Sequence, residues 1–314
     1  MSISKDFSKG SVSKNILKLA VPMTLAQLIN ILYNIVDRMY IGRIPNASSL
    51  ALTGVGITFP IITIIMAFAN LYGMGGAPLC SIERGKGNNE KAEEIMGNSF
   101  TLLLITGLML TIVILIFKKP LLYLLGASDN TFSYANDYIT IYLLGSVFVM
   151  ISLGMNSFIN SQGFGRIGMM TILVGAITNI ILDPLLIFGV GFIPPLGVVG
   201  AALATVCAQV VVTLIFILAY IKNHYVTGRK AIKYLDKKVM LNITKLGMPA
   251  CLENGLFTIF SMVIGRIIAQ WGATAIAVQK VGSQIEAISW MTAGLQLLLQ
   301  HLLDKITVQK SLKE

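Results

Sequence analysis

The sequence predicts an all-α integral membrane protein, and its composition and its apolar runs are the two main indications. Of the 314 residues, 55% are hydrophobic and only 12% are charged, and the mean hydropathy is +0.78. This is more apolar surface than a water-soluble domain can bury. Many apolar runs reach about 20 residues, the length at which a helix crosses a bilayer. They lack the alternation of barrel strands, so we expect helices throughout.

Eight apolar stretches fit this description, and all but one of the segments between them are short. The exception is the basic segment 223–241. The eight predicted spans are Ile16–Val36, Leu50–Leu79, Phe100–Phe117, Ile139–Phe158, Gly168–Phe192, Val198–Ile221, Gly247–Ala269 and Ala275–Leu299.

An internal repeat indicates how these spans are grouped. The segment Asn15–Pro22 reads NILKLAVP and the segment Asn242–Pro249 reads NITKLGMP, so five of eight positions are identical at an offset of 227 residues. A second bundle is therefore expected to begin near Asn242. We divide the chain into an amino-terminal six-helix lobe (1–222), a cytoplasmic basic linker (223–241) and the start of a second lobe (242–294).

The net charge of +10 is distributed according to membrane topology. Most lysines and arginines lie before the first span or in the second, fourth and sixth loops, and few lie in the other loops. The positive-inside rule then places the amino terminus in the cytoplasm of a multi-pass protein of the cell membrane. No basic patch with interleaved aromatic residues indicates a nucleic-acid partner; the partners expected are lipid and small molecules.

Cysteines and histidines give no sign of a catalytic or metal site. Cys80, Cys207 and Cys251 are far apart in sequence, and His224 and His301 lie outside the first seven spans. We therefore expect no disulfide, no metal, no bound cofactor and no enzyme activity.

The first span carries a polar stripe. Gln27, Asn30, Asn34 and Asp37 follow one another at spacings of three and four residues, so they share one face of a helix. A carboxylate at bilayer depth costs roughly 2.5–3.5 kcal/mol and usually marks an ion or substrate path. One side of this helix is therefore expected to face protein or water.

The fifth span carries a second acid at a matching depth. Asn179 and Asp183 are four residues apart, and Asp183 precedes Gly189 by six residues much as Asp37 precedes Gly42 by five. Each aspartate is then about 8–9 Å below its helix end. If they face one cavity, the pair can accept a proton or hold a hard cation such as Na⁺. Alternatively, Asp37 pairs with a neighbouring arginine and Asp183 caps a broken helix.

A third buried acid is expected in the seventh span, where Glu253 stands beside Asn254. Glu253 is a candidate for substrate binding or coupling. The alternative is an interfacial residue paired with Lys245 or Lys280.

The motifs around these polar residues resemble those of the multidrug and toxic compound extrusion (MATE) family. They are Leu32–Gly42 (LYNIVDRMYIG), Thr178–Gly189 (TNIILDPLLIFG) and Gly197–Thr205 (GVVGAALAT), and the likeness covers residues 12 to 294. The resemblance implies two six-helix lobes and export of bulky, often cationic, organic compounds in exchange for H⁺ or Na⁺. It places Asp37, Asn179, Asp183 and Thr205 at the cation or proton site. A flippase for lipid-linked precursors is the alternative function within the same superfamily.

The chain departs from the family pattern after Gly294. A shift of one base near Leu295 converts a common family ending of the eighth helix into the residues seen from Gln300 to Lys310. We therefore expect residues 295–314 to be a frameshifted tail of a truncated and inactive transporter. A genuine short member, or an assembly from two incomplete chains, is the alternative.

Overall fold

The computed structural model describes residues 12–45, 48–191, 193–223, 235–269 and 271. Within them the chain forms helices and no strand, as the composition predicts. The helices are α1 (Val12–Ile41), α2 (Ser48–Gly85), α3 (Asn89–Leu124), α4 (Asp129–Ser161), α5 (Gly165–Ile187), α6 (Val198–Asn223) and α7 (Lys237–Ala269). The predicted eighth span and the predicted tail lie outside the described residues.

Five of these helices, α2 to α6, are long and apolar enough to cross a membrane. Their outer faces carry apolar side chains, as on α3, where Leu108, Ile112 and Ile116 are each about half exposed or more, at 49%, 58% and 68%. These positions are four residues apart and form one stripe. A stripe of this kind is expected to face lipid rather than water.

The fifth helix is shorter than the sequence predicts. The predicted span ends at Phe192, whereas α5 ends at Ile187. Gly189 and Gly191 follow with φ of +75° and +62°, a left-handed conformation that stops a helix. The linker boundary also moves, because α7 begins at Lys237 and not after 241.

The helices pack in a defined order. α1 packs mainly against α5, α5 against α6, α6 against α4, and α4 against α2; α3 fills the angle between α2 and α4. α7 packs against α2 and touches α3. The polar residues of α1, α5 and α6 are thereby placed on one side of the lobe.

The contact between α7 and α2 depends on glycine. A Cβ atom on Gly247 would collide with the carbonyl oxygen of Leu71, and one on Gly75 would collide with the carbonyl oxygen of Ile243. The two backbones therefore approach at a distance that only glycine permits. Gly247 belongs to the repeated segment NITKLGMP, and the matching position of the first copy, in α1, is Ala20.

This close approach gives a stability prediction. Gly247→Ala is expected to lower the free energy of unfolding by about 2 kcal/mol, because the added methyl group forces α7 away from α2. Denaturant unfolding of the purified chain in detergent micelles measures the change. Gly255→Ala is the matched control on the same helix, since a Cβ there meets nothing within 4 Å. Equal effects of the two substitutions would contradict the packing described.

Candidate functional site

The structure brings the two predicted aspartates together. The carboxyl groups of Asp37 on α1 and Asp183 on α5 lie close enough to interact directly with each other. Each lies four residues before the end of its helix, Ile41 and Ile187, and so about 6 Å from that end. A contact between two carboxyl groups is favourable only when they share a proton or a cation, because two ionised groups repel.

Asn179 connects this pair to α6. Its Nδ2 donates to Asp183 Oδ1 at 3.3 Å and lies 3.5 Å from Thr205 Oγ1. The Thr205 hydroxyl donates to the carbonyl oxygen of Ala201 at 3.1 Å. The oxygen of Thr205 can therefore act only as an acceptor toward the site.

Three oxygen atoms of the site are buried and have no hydrogen-bond partner among the described residues. They are Asp37 Oδ1, Asn179 Oδ1 and Asp183 Oδ2. Asp183 is completely buried and Asn179 is 2% exposed. Within the described ranges neither aspartate forms an ion pair, so the pairing of Asp37 with Arg38 or Arg43 is not seen. Unpaired buried acceptors are costly, and a proton or a small hard cation among them would remove that cost.

Arg38 instead lies over the ring of Phe59 on α2. Its guanidinium carbon is 5.8 Å from the ring centroid. This cation–π contact holds the arginine on the side of α1 that faces α2. The positive charge nearest to Asp37 in sequence is therefore directed to an aromatic partner.

Sequence reasoning missed two tyrosines of α4 that enclose the site. The hydroxyl of Tyr138 contacts the side chain of Thr205, and its ring stacks on Tyr142 with centroids 6.3 Å apart. Both tyrosines are buried. The predicted fourth span begins at Ile139 and so excluded Tyr138. The four-residue spacing of Tyr134, Tyr138 and Tyr142, which places all three on one helix face, is the signal that could have found them.

The other members of the α1 stripe do not join the aspartates. Gln27 and Asn34 are exposed on the surface of the described helices. Asn34 donates to the carbonyl oxygen of Asn30 at 2.7 Å and to its side-chain oxygen at 3.1 Å. The stripe thus forms a polar line on an open face of α1, with Asp37 at its end.

The expectation that Glu253 is buried is wrong for the described residues. Its side chain is exposed, as is that of Lys245, and no ion pair joins them. The face of α7 that packs on α2 includes Ile243 and Gly247, and Glu253 lies six residues beyond Gly247, on a different face. Asn254 bonds only to its own helix, at the carbonyl oxygen of Ala250.

Solved structures share this fold. An outward-facing multidrug resistance MATE family transporter of the MOP superfamily superposes with a TM-score of 0.86 at 24% identity, covering all of this chain and 69% of that one. A crystal structure of MATE in complex with MaD3S gives a TM-score of 0.85 at 25% identity and covers 98% of this chain and 68% of that one.

Curated relatives agree with the structures. The multidrug export protein MepA of Staphylococcus haemolyticus is 32% identical over 272 residues, and that of Staphylococcus aureus is 30% identical over the same length. The match covers 86% of this chain, and the chain spans 59% of the length of either relative. The MatE family model matches residues 22–185, just over half of the chain. The chain therefore belongs to the MatE family.

Proposed function

We propose that this chain forms the ion-coupling part of a membrane antiporter that exports organic compounds in exchange for H⁺ or Na⁺. The observation that carries the proposal is the contact between Asp37 and Asp183. Each of these side chains, like that of Asn179, has a buried oxygen without a hydrogen-bond partner among the described residues. The names of the curated relatives, which are multidrug export proteins, support the export of organic compounds.

In this proposal four side chains form the cation site. Asp37 and Asp183 supply the charge, and Asn179 and Thr205 supply neutral oxygens. A proton on one carboxyl group is shared with the other, whereas Na⁺ is held by oxygens of all four residues. Because both ions need the same carboxylate oxygens, their binding is mutually exclusive.

Substrate contact is assigned to the open polar face of α1. Gln27 and Asn34 are exposed there, between exposed apolar side chains such as Leu28 and Leu32. Amide groups between apolar side chains suit a bulky organic cation, which needs apolar contact and a few polar partners. Asn30, Glu253 and Asn254 remain candidates for the same role.

Orientation and location follow from the charge distribution. The basic residues that precede α1 and that lie between α2 and α3 and between α6 and α7 place those ends in the cytoplasm of a multi-pass cell-membrane protein. The aspartate pair then lies in the outer half of the membrane.

The first prediction of this proposal concerns ion competition. In the purified chain in lipid nanodiscs, infrared difference spectroscopy is expected to show a protonated-carboxyl band that Na⁺ removes and that K⁺ at equal ionic strength does not. Asp37→Asn and Asp183→Asn are each expected to abolish the response of the band to Na⁺, because either change removes one of the two carboxylates that hold the cation. Asp129→Asn, at the exposed start of α4, is the matched control and is expected to change neither.

A second prediction separates the neutral ligands from general packing. Asn179→Ala is expected to weaken Na⁺ binding about tenfold, because it removes a buried oxygen and releases Asp183 from its partner. Thr63→Ala, which removes a hydroxyl bonded to the carbonyl oxygen of Phe59 in its own helix, is expected to leave the affinity unchanged. Titration calorimetry with NaCl measures both.

Two outcomes contradict the proposal. One is a wild-type chain that shows no protonated carboxyl band at any pH and no Na⁺ binding. The other is preferential binding of an anionic lipid-linked diphosphate over a fluorescent organic cation, which would favour the flippase alternative.

A further inference from the structure

A second, partly buried polar cluster lies between α4 and α5, nearer the Gly165 end of α5. Asn156 Nδ2 donates to the carbonyl oxygen of Gly168 at 3.1 Å and to Thr171 Oγ1 at 3.0 Å. Asn160 Nδ2 donates to Asn156 Oδ1 at 2.7 Å. The cluster contains amides and a hydroxyl, and none of these groups is charged.

One atom of this cluster lacks a partner. Asn160 Oδ1 is buried and accepts no hydrogen bond from any described residue. The absence of a side chain at Gly168 makes room for this carboxamide, since a Cβ there would collide with it. A buried acceptor without a partner, beside other polar groups, is the setting in which proteins hold ordered water.

α6 links this cluster to the aspartate pair. Gln209 is one helical turn from Thr205, which is 3.5 Å from Asn179. Gln209 Oε1 accepts a hydrogen bond of 2.6 Å from Ser152 on α4. Ser152 is one turn before Asn156, which bonds to Thr171.

The spacing of these groups suits single water molecules. Successive groups either are in contact or are separated by one turn of helix, about 6 Å. One water molecule with two hydrogen bonds of about 2.8 Å spans that distance. We call this series the polar relay; it consists of Asn179, Thr205, Gln209, Ser152, Asn156, Thr171 and Asn160.

We propose that the polar relay binds water molecules that carry protons between the Asp37–Asp183 pair and the Gly165 end of α5. The proposal rests on the proposed function, in which the pair exchanges protons. Asp183 is completely buried and lies 18 residues from Gly165, about 27 Å along the helix. A proton on the pair therefore needs a route through the lobe to reach that end.

The transfer balances without any further reactant. The carboxyl O–H bond breaks, the nearest water takes the proton, and each water or hydroxyl group passes one of its own protons to the next. A proton is released at the Gly165 end, and a carboxylate remains. The hydroxyls of Thr205, Ser152 and Thr171 each donate to a carbonyl oxygen of their own helix in this structure and can accept from a water molecule, so each passes a proton on by rotating away from that carbonyl. The amides only orient the waters. Because the cluster has no carboxylate, a bare Na⁺ there would be uncompensated, and water is the ligand that its chemistry favours.

The test measures how fast the carboxyl protons exchange. The full chain in lipid nanodiscs is mixed with D₂O, and the shift of the carboxyl band from COOH to COOD is followed by infrared spectroscopy. Thr171→Val, which removes a hydroxyl at nearly constant volume, is expected to slow the exchange about tenfold. Thr171→Ser, which keeps the hydroxyl, is expected to exchange at the wild-type rate.

Thr58→Val is the matched control. Thr58 is completely buried on α2, and its hydroxyl bonds only to the carbonyl oxygen of Val55 in its own helix. This variant is expected to exchange at the wild-type rate. Size-exclusion chromatography checks that each variant is folded, and Ser152→Ala provides a second interruption of the relay should Thr171→Val fail to fold.

The results separate the relay from the cation site. An unchanged rate in both Thr171→Val and Ser152→Ala would overturn the relay, as would equal slowing in Thr58→Val. Loss of the Na⁺ response of the carboxyl band in the Asp37→Asn and Asp183→Asn variants supports the cation site whichever way the relay test falls. A Na⁺ response that persists in both aspartate variants would overturn the cation site itself.

Discussion

The burial of two carboxyl groups in one contact is the constraint on which the arrangement of this lobe depends. Asp37 and Asp183 come from helices far apart in sequence, and within the described residues no ion pair neutralises either. A shared proton or a bound cation would remove their cost. The packing of α1 against α5 sets their separation, and Asn179 ties the pair to α6. In the proposed function, this otherwise destabilising interaction is the basis for ion binding.

Buried polar groups occur at several places in this lobe, and one series of them lies along α6 and α4. Thr205, Gln209, Ser152 and Asn156 are placed along α6 and α4, with their side chains directed to neighbouring helices. The exposed side chains on the outer face of α3, such as Ile112, are instead apolar. Because a polar group in lipid has no partner, this segregation follows from the solvent. The proposed polar relay would give these groups a use beyond packing.

The seventh helix shows how a repeated sequence can serve a different contact. The NITKLGMP segment of α7 echoes the start of α1, yet α7 packs on α2 through Gly247 and Gly75 whereas α1 packs on α5. Glu253 consequently faces away from the described helices. The chain spans 59% of the length of its MepA relatives. What surrounds the Glu253 face of α7 is a question for the proposed function and is not part of the described fold.

The sequence by itself determined the helical fold, because a bilayer admits few other structures, and it determined the shared depth of Asp37 and Asp183, because helix rise is constant. It also identified the MatE family through local motifs. Tertiary structure alone decided which side chains meet. The contact of Tyr138 with Thr205, the exposure of Glu253 and the bond between Ser152 and Gln209 depend on the rotation of each helix about its axis. That rotation is set by close packing between helices distant in sequence, and spacing along one chain does not specify it.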